Sequence, residues 1–258
     1  MDSNIVLLER KNKIIYREGD KLVKRFNEQF STAEVLNEAF LLSSVSELGL
    51  NVPEVLEIRR YGRCWELVME YIEGKTFQQL MDENPSDYTK LLKEFVKIQV
   101  NIHKKNAPKL PKLADKLNLK ISETEFTATQ RYDLHTRIDD MPKDKHLLHG
   151  DFTPGNVILK PNGRICILDW SHCSQGDICG DCAATYLRYI LAGNTDQGKE
   201  YVRLFCEMSH VMPSVVTEWL PVVAAGRLVR QKSDFKKETL LKIVDIDNKG
   251  TNNEYTAI

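Results

Sequence analysis

The sequence predicts an α+β fold: a small antiparallel sheet with one main helix in the N-terminal part, a larger and mainly helical C-terminal part, and an active site in the cleft between them. Three observations carry this. Short β-forming runs separated by turn residues fill most of residues 13–71, helical periodicity dominates residues 87–231, and one Asn-Gly turn between apolar runs interrupts the helical part at residues 157–168. The first part is expected to end near residue 72, dividing the chain into 1–72 and 73–258.

Residues 13–16 and 21–26 read as the strands of a hairpin around Arg17-Glu18-Gly19-Asp20. Alternation in the second strand puts Leu22, Lys24 and Phe26 on one face and Val23 and Arg25 on the other, so Lys24 sits on the more apolar side. Ser31-Thr32-Ala33-Glu34 has capping-box spacing, an apolar helical pattern follows, and Gly49 stops it, which predicts a helix near residues 32–48. Its buried stripe is Val35, Ala39, Leu42 and Val45, and Glu38 lies inside that stripe. A carboxylate facing a core needs a cation to offset its desolvation, and Lys24 is the nearest candidate.

After Asn51-Val52-Pro53, residues 55–59 and 64–71 again read as strands, and Glu73-Gly74-Lys75 breaks the pattern as a hinge. Helices are expected at 87–106 and near 181–192, 197–209 and 214–231, with a loop at Pro108 and Pro111. Trp170 and Trp219 are expected in the core or a cleft wall, and the polar tail after Asp245 is expected to be mobile.

Composition narrows the class. The 258 residues carry 36 basic and 37 acidic side chains, a net charge of -1, with 42% apolar and 28% charged residues, as in an ordinary soluble globular chain. That balance removes the electrostatic case for nucleic acid as a main partner. No segment has the length and apolarity of a membrane span, residues 1–13 lack the apolar stretch of a secretory signal, and the six cysteines read as reduced thiols, so a cytoplasmic location is expected.

The chemistry concentrates in residues 149–169, HGDFTPGNVILKPNGRICILD. With Asn162 and Gly163 as a two-residue turn, the hairpin register faces Ile158 with Ile167, Val157 with Leu168 and Asn156 with Asp169. An amide oxygen beside a carboxylate offers hard oxygen ligands that suit magnesium, especially where a nucleotide supplies more. Asp151, five residues before Asn156 on a loop bent by Pro154 and Gly155, is a carboxylate able to orient an attacking hydroxyl and take its proton.

H-G-D-x-x-x-x-N followed by I-L-D resembles the catalytic segment of the aminoglycoside phosphotransferase and choline kinase family, whose members have a protein-kinase-like fold. The resemblance covers nearly the whole chain. It implies that Lys24, in Leu-Val-Lys-Arg-Phe, is the strand lysine for the nucleotide phosphates and Glu38 its helix partner. It further implies that Glu70, Tyr71 and Ile72 form the hinge whose backbone meets adenine, that Asp151 is the catalytic base, and that Asn156 and Asp169 hold magnesium. His149 would support the loop and Asp181 brace it, although Asp177 and Asp181 also read as helix N-terminal residues. The implied reaction is Mg2+-dependent transfer of the ATP γ-phosphoryl group to a hydroxyl of a small polar molecule.

The chain departs from the wider kinase pattern in three ways. Arg10-Lys11-Asn12-Lys13 stands where a glycine-rich loop would, Trp170-Ser171 follows Asp169 in place of Phe-Gly, and no activation-loop or A-P-E-like sequence follows. The last two absences favour a small-molecule acceptor over a protein. Asp133, Asp139, Asp140, Asp144, Glu207 and Glu218 are acids available to a cationic acceptor, yet the sequence assigns none of them. Two competing readings are a nucleotide-binding regulator that has lost transfer, and a zinc-structured binding module using His172, Cys173, Cys179 and Cys182.

Overall fold

The computed structural model describes residues 5–229, 231, 233–245, 255 and 258. In chain order its elements are β1 (Ile5–Arg10), β2 (Lys13–Glu18), β3 (Lys21–Phe26), α1 (Thr32–Ser46), β4 (Val55–Tyr61), β5 (Cys64–Glu70), β6 (Lys75–Thr76), α2 (Phe77–Glu83), α3 (Tyr88–His103), α4 (Leu113–Ser122) and α5 (Ala128–Asp140). There follow β7 (His146–Leu148), β8 (Val157–Leu159), β9 (Ile165–Ile167), β10 (Ser174–Gly176), α6 (Ile178–Leu191), α7 (Thr195–Ser209), α8 (Pro213–Glu218), α9 (Leu220–Leu228) and α10 (Asp234–Val244). The tail after Asp245, expected to be mobile, lies outside the described residues except for Tyr255 and Ile258.

The chain divides into two compact units, Met1–Asn84 with Pro154–His172, and Pro85–Thr153 with Cys173–Ile258. In the first, five antiparallel strands run in the order β1-β2-β3-β5-β4. The β2–β3 hairpin forms as the sequence suggests, but β2 extends through Glu18, which leaves Gly19-Asp20 as the turn and Gly19 at φ 63°. Helix α1 starts in the expected capping box: the Ser31 hydroxyl accepts from the Glu34 N–H at 3.2 Å and the Glu34 carboxylate accepts from the Ser31 N–H at 2.8 Å. Val35, Ala39, Leu42 and Val45 are buried as predicted. A smaller sheet, β6-β8-β9, completes the unit.

The 157–167 hairpin forms one residue out of the expected register. Val157 faces Ile167, Ile158 faces Cys166 and Leu159 faces Ile165. The loop is three residues long rather than two: the Gly163 N–H donates to Lys160 O at 2.9 Å, Gly163 takes φ 79°, and the Lys160 N–H donates to Arg164 O at 2.9 Å. Pro161, with φ fixed near −65°, suits the first central position of a type I turn, and Gly163 supplies the left-handed residue that closes it. Asn156 therefore meets Leu168, whose N–H donates to Asn156 O at 2.8 Å, and Asp169 lies one residue further on.

Among the described residues the second unit is helical apart from the short β7–β10 pair. Its centre is aromatic: Phe95 of α3 stacks on Phe152 with ring centroids 4.4 Å apart, and Tyr201 of α7 donates to the Gln99 amide oxygen at 2.6 Å. Trp170 and Trp219, each in its own unit, are both buried as expected. Asp177 caps α6 by accepting the Cys179 N–H at 2.8 Å and also accepts the Trp219 indole N–H at 3.1 Å. Among the described residues no helix is long and apolar enough to cross a membrane.

Candidate active site

Most of the anticipated site residues belong to the first unit, and the fold gathers them. Lys24, at the centre of β3, is buried with its Nζ 2.7 Å from Glu38 Oε1 and 3.1 Å from Asp169 Oδ1. Burial pulls the Lys24 pKa down, but the charges of Glu38 and Asp169 and their hydrogen bonds outweigh it, so the ammonium is held above its ordinary range. Asp169 takes φ 59°, an uncommon conformation for a residue with a side chain. It is followed by the short helical turn Trp170–His172, against which α1 packs, and the Ser171 hydroxyl donates to its Oδ1 at 3.1 Å.

Lys24, Glu38, Asn156 and Asp169 line one cavity of about 550 Å³, within the size range of small-ligand sites. Glu70, Tyr71 and Ile72 line it too, and Leu22, Ile158 and Leu168 supply an apolar portion. The Glu70 N–H donates to Glu54 O and the Tyr71 N–H to Asp20 O, each at 2.9 Å. Among the described residues, the Ile72 N–H alone of the three donates to no backbone acceptor. Asn156 and Asp169 bring an amide oxygen and a carboxylate to the same cavity, a hard donor set that fits Mg2+, which keeps waters and takes its remaining ligands from phosphates.

Asp151 belongs to the second unit, on the loop after β7, and three positions on one face of α6 hold that loop. Asp181 accepts from the His149 N–H at 3.2 Å and the Gly150 N–H at 2.7 Å. Thr185, one turn on, donates its hydroxyl to Phe152 O at 3.0 Å, and Arg188 pairs with the Asp151 carboxylate. The buried His149 ring also serves the loop, accepting the Asp151 N–H on Nδ1 at 3.2 Å. From α3, Gln99 and His103 approach the same Asp181 oxygen at 3.1 and 2.9 Å. Burial alone would raise the Asp181 pKa; the His103 hydrogen bond and charge, the charge of His149 and the Gly150 N–H together hold it down at about 2.

Sequence reasoning did not reach Arg188, Gln99 or His103. A signal existed for Arg188, a charge set in the apolar run Ala183–Leu191 at i+7 from Asp181. Its partner, 37 residues away, could not be read from spacing. The zinc reading is overturned. Among the described residues no three His, Cys, Asp or Glu side chains are placed to hold a metal ion, and Cys173, Cys179 and Cys182 are buried. Burial pushes the thiol of Cys173 up to about 12 and raises those of Cys179 and Cys182, whereas zinc takes thiolates.

An antiparallel five-stranded sheet whose lysine meets a helix glutamate, together with the aspartate-containing segment after β9, defines a kinase-like fold. Solved structures share it. An apo thermostable mutant of aminoglycoside phosphotransferase APH(4)-Ia is 18% identical with a TM-score of 0.71, over 97% of this chain and 96% of that one. Another mutant of that enzyme, in a ternary complex with AMP-PNP and hygromycin B, is likewise 18% identical at 0.71, over 97% and 95%. Choline kinase LicA from Streptococcus pneumoniae is 17% identical at 0.64, over 94% and 92%. A comparison with curated proteins gives no match. Residues 9–215 match the phosphotransferase enzyme family (APH), and the chain belongs to that family. It is a phosphotransferase of the kinase class.

Proposed function

We propose that this enzyme transfers the γ-phosphoryl group of ATP to a hydroxyl of a small polar molecule, of the aminoglycoside, choline or sugar kind, with Mg2+ as the required ion. The observation that carries the reading is Lys24 held between Glu38 and Asp169 in a cavity that also takes in Asn156 and the 70–72 segment. Functionally, residues 1–72 bind the nucleotide, and residues 73–258 supply catalysis and the acceptor site.

Lys24, fixed by Glu38, holds the nucleotide phosphates, and the Glu70–Ile72 backbone receives adenine against the apolar wall of the cavity. Asn156 and Asp169 hold the metal ion, which when bound neutralises charge on the phosphates. Asp151 accepts the acceptor's hydroxyl proton as that oxygen bonds to the γ-phosphorus and the bond to the β,γ-bridging oxygen breaks, leaving ADP. The fixed loop around Asp151 orients that carboxylate before the acceptor arrives. The six unpaired cysteines support a reducing, cytoplasmic setting.

The test is ATP consumption across an acceptor panel, with and without Mg2+, with the phosphorylated product identified by mass. Asp151→Asn should lower kcat by about 100-fold or more, the range for a positioned base, while nucleotide affinity stays within about threefold. No ATP consumption with any acceptor, despite bound nucleotide, would leave a regulator that has lost transfer; full turnover by the variant would remove Asp151 from its role.

A further inference from the structure

We infer that Arg10 and Lys13, two side-chain cations at the tip of the β1–β2 hairpin, hold the third phosphate of the nucleotide, so that the chain selects a nucleoside triphosphate over a diphosphate. This deepens the functional reading and rests on adenine lying at residues 70–72 and the phosphates at Lys24.

The sheet register brings both cations to the cavity. Arg10 faces Lys13 across β1 and β2, Lys13 faces Phe26 across β2 and β3, and Ile15 faces Lys24. Directly opposed residues share a face and alternate residues return to it, so Arg10, Lys13, Ile15 and Lys24 stand on one side of the sheet. All four line the cavity of about 550 Å³.

The register also gives an order along that wall. At one end β3 pairs with the strand that leads into the 70–72 segment, Lys21 facing Glu70 and Leu22 facing Met69. Lys24 comes next, and the Arg10–Lys13 pair stands level with Phe26, further along β3. At about 3.3 Å per residue the pair is roughly 7 Å beyond Lys24. A phosphate chain that starts from adenosine at residues 70–72 and passes Lys24 therefore reaches the pair with its last member.

The protein supplies this pair with no counter-charge. Among the described residues neither side chain makes a hydrogen bond or ion pair, and of the acids lining the cavity Glu38 and Asp169 pair with Lys24 and Glu70 with Lys160. Glu9, next to Arg10 in sequence, alternates to the other face and lines a recess of about 410 Å³, which the two cations also border, rather than the cavity. Like charges set directly opposite each other destabilise a sheet, and an oxyanion between them reverses the sign. A glycine-rich turn would offer phosphate its backbone N–H groups; here Arg10-Lys11-Asn12-Lys13 occupies the turn, and side chains take their place.

The experiment compares AMP-PNP, ADP and AMP by calorimetry at one Mg2+ concentration, in the parent, Arg10→Gln, Lys13→Gln, the double variant and Arg10→Lys. The parent should bind AMP-PNP about tenfold or more tightly than ADP, and each glutamine variant should lose about tenfold for AMP-PNP, the factor of one charge-assisted contact, with ADP and AMP within about twofold. The double variant should bind AMP-PNP no better than ADP, and Arg10→Lys should keep most of the preference. Urea midpoints without nucleotide should stay equal or rise in the single variants, since a like-charge pair is removed. Equal losses for AMP-PNP and ADP, an unchanged AMP-PNP affinity, or a lowered midpoint in both single variants overturns the proposal. Arg10- and Lys13-dependent AMP-PNP binding with no ATP consumed by any acceptor would instead overturn the transfer reading and leave the triphosphate clamp standing.

Discussion

Replacing Asp181 with alanine removes the acceptor for four donors at once: the N–H groups of His149 and Gly150, the Gln99 amide and the His103 ring. Each orphaned buried donor costs about 1–3 kcal/mol, and water entering the vacated space recovers part of it, so the expected loss is about 3–5 kcal/mol. That is a large share of a total that in folded domains is about 5–15 kcal/mol. A second estimate comes from the carboxylate itself, held at about 2 against an ordinary 3.8. It contributes about 2 kcal/mol at neutral pH through its charge. Because the folded value is depressed, this contribution is complete above the ordinary aspartate range and is lost as pH falls through about 2. Asp181→Asn, which keeps the shape and one acceptor oxygen, should therefore lose about 2 kcal/mol, less than alanine. Urea unfolding followed by circular dichroism at neutral pH and at successively lower pH measures both. Turnover of the asparagine variant should fall about 100-fold at temperatures where it is folded, since displacing the loop misplaces Asp151. An alanine variant within about 1 kcal/mol of the parent, or an asparagine variant with the parent's kcat, would refute the brace.

Lys24→Met strands Glu38 beside an Asp169 that is 31% exposed, so the loss is about 2 kcal/mol, below the figure for a fully buried pair, with nucleotide affinity falling in parallel. In the parent, the raised Lys24 value makes this contribution complete below the ordinary lysine range and lost as pH climbs beyond it, so the thermal midpoints of the two proteins should converge at alkaline pH; a constant gap there contradicts the assignment. Glu66 accepts from Tyr16, Arg25 and Arg59, each at 2.7 Å, on the face of the main sheet. Glu66→Gln leaves Arg25 without its charge partner, while Arg59 keeps Glu18 and Glu57, and should cost about 1–2 kcal/mol by urea unfolding; an unchanged midpoint contradicts it. Gly74 has φ 148°, and a Cβ there would lie 2.4 Å from Leu159 O. Gly74→Ala should thus cost about 2–3 kcal/mol and weaken nucleotide binding, whereas a melting point within about 1 °C of the parent would show that Gly74 and β6 can shift freely.

How far the sequence could be read depended on the range of the signal. Helix α1 was legible because its capping box and buried stripe are local, and Lys24 and Glu38 because a charge inside an apolar pattern demands a partner. The exposed edge strand β1 was missed: all six residues face solvent, so it shows no buried alternation. Helices α2 and α5 were missed although Thr76/Gln79 and Thr127/Gln130 form capping boxes, since each helix buries only two side chains and its apolar stripe is faint. Helices α4 and α10 bury two each as well. The expected single helix over 214–231 is two, α8 and α9, broken ahead of Pro221. The hairpin was recognised by Asn162-Gly163, but its register turned on Pro161, which shifts the two-residue turn to three and carries Asp169 one position past Asn156.

The two compact units divide the proposed site residues as well as the chain. The lysine, its glutamate, the Asn156 and Asp169 pair and the 70–72 segment all belong to the first; the loop bearing Asp151 belongs to the second, with Asp181, Thr185 and Arg188 that hold it. In the first unit, groups distant in sequence are gathered by β pairing and the packing of α1, so their positions depend on sheet register and on the conformation of Asp169. In the second, one helix face holds the loop: Asp181, Thr185 and Arg188 recur at helical spacing and meet four consecutive loop residues, 149–152. Three side chains thus serve four loop residues, the acid taking two backbone N–H groups, the hydroxyl a carbonyl and the guanidinium a carboxylate. The acid and the hydroxyl bind backbone and would suit any side chain at 151. Of the three, Arg188 is the side chain that meets the Asp151 carboxylate itself, so its role depends on an acid at that position.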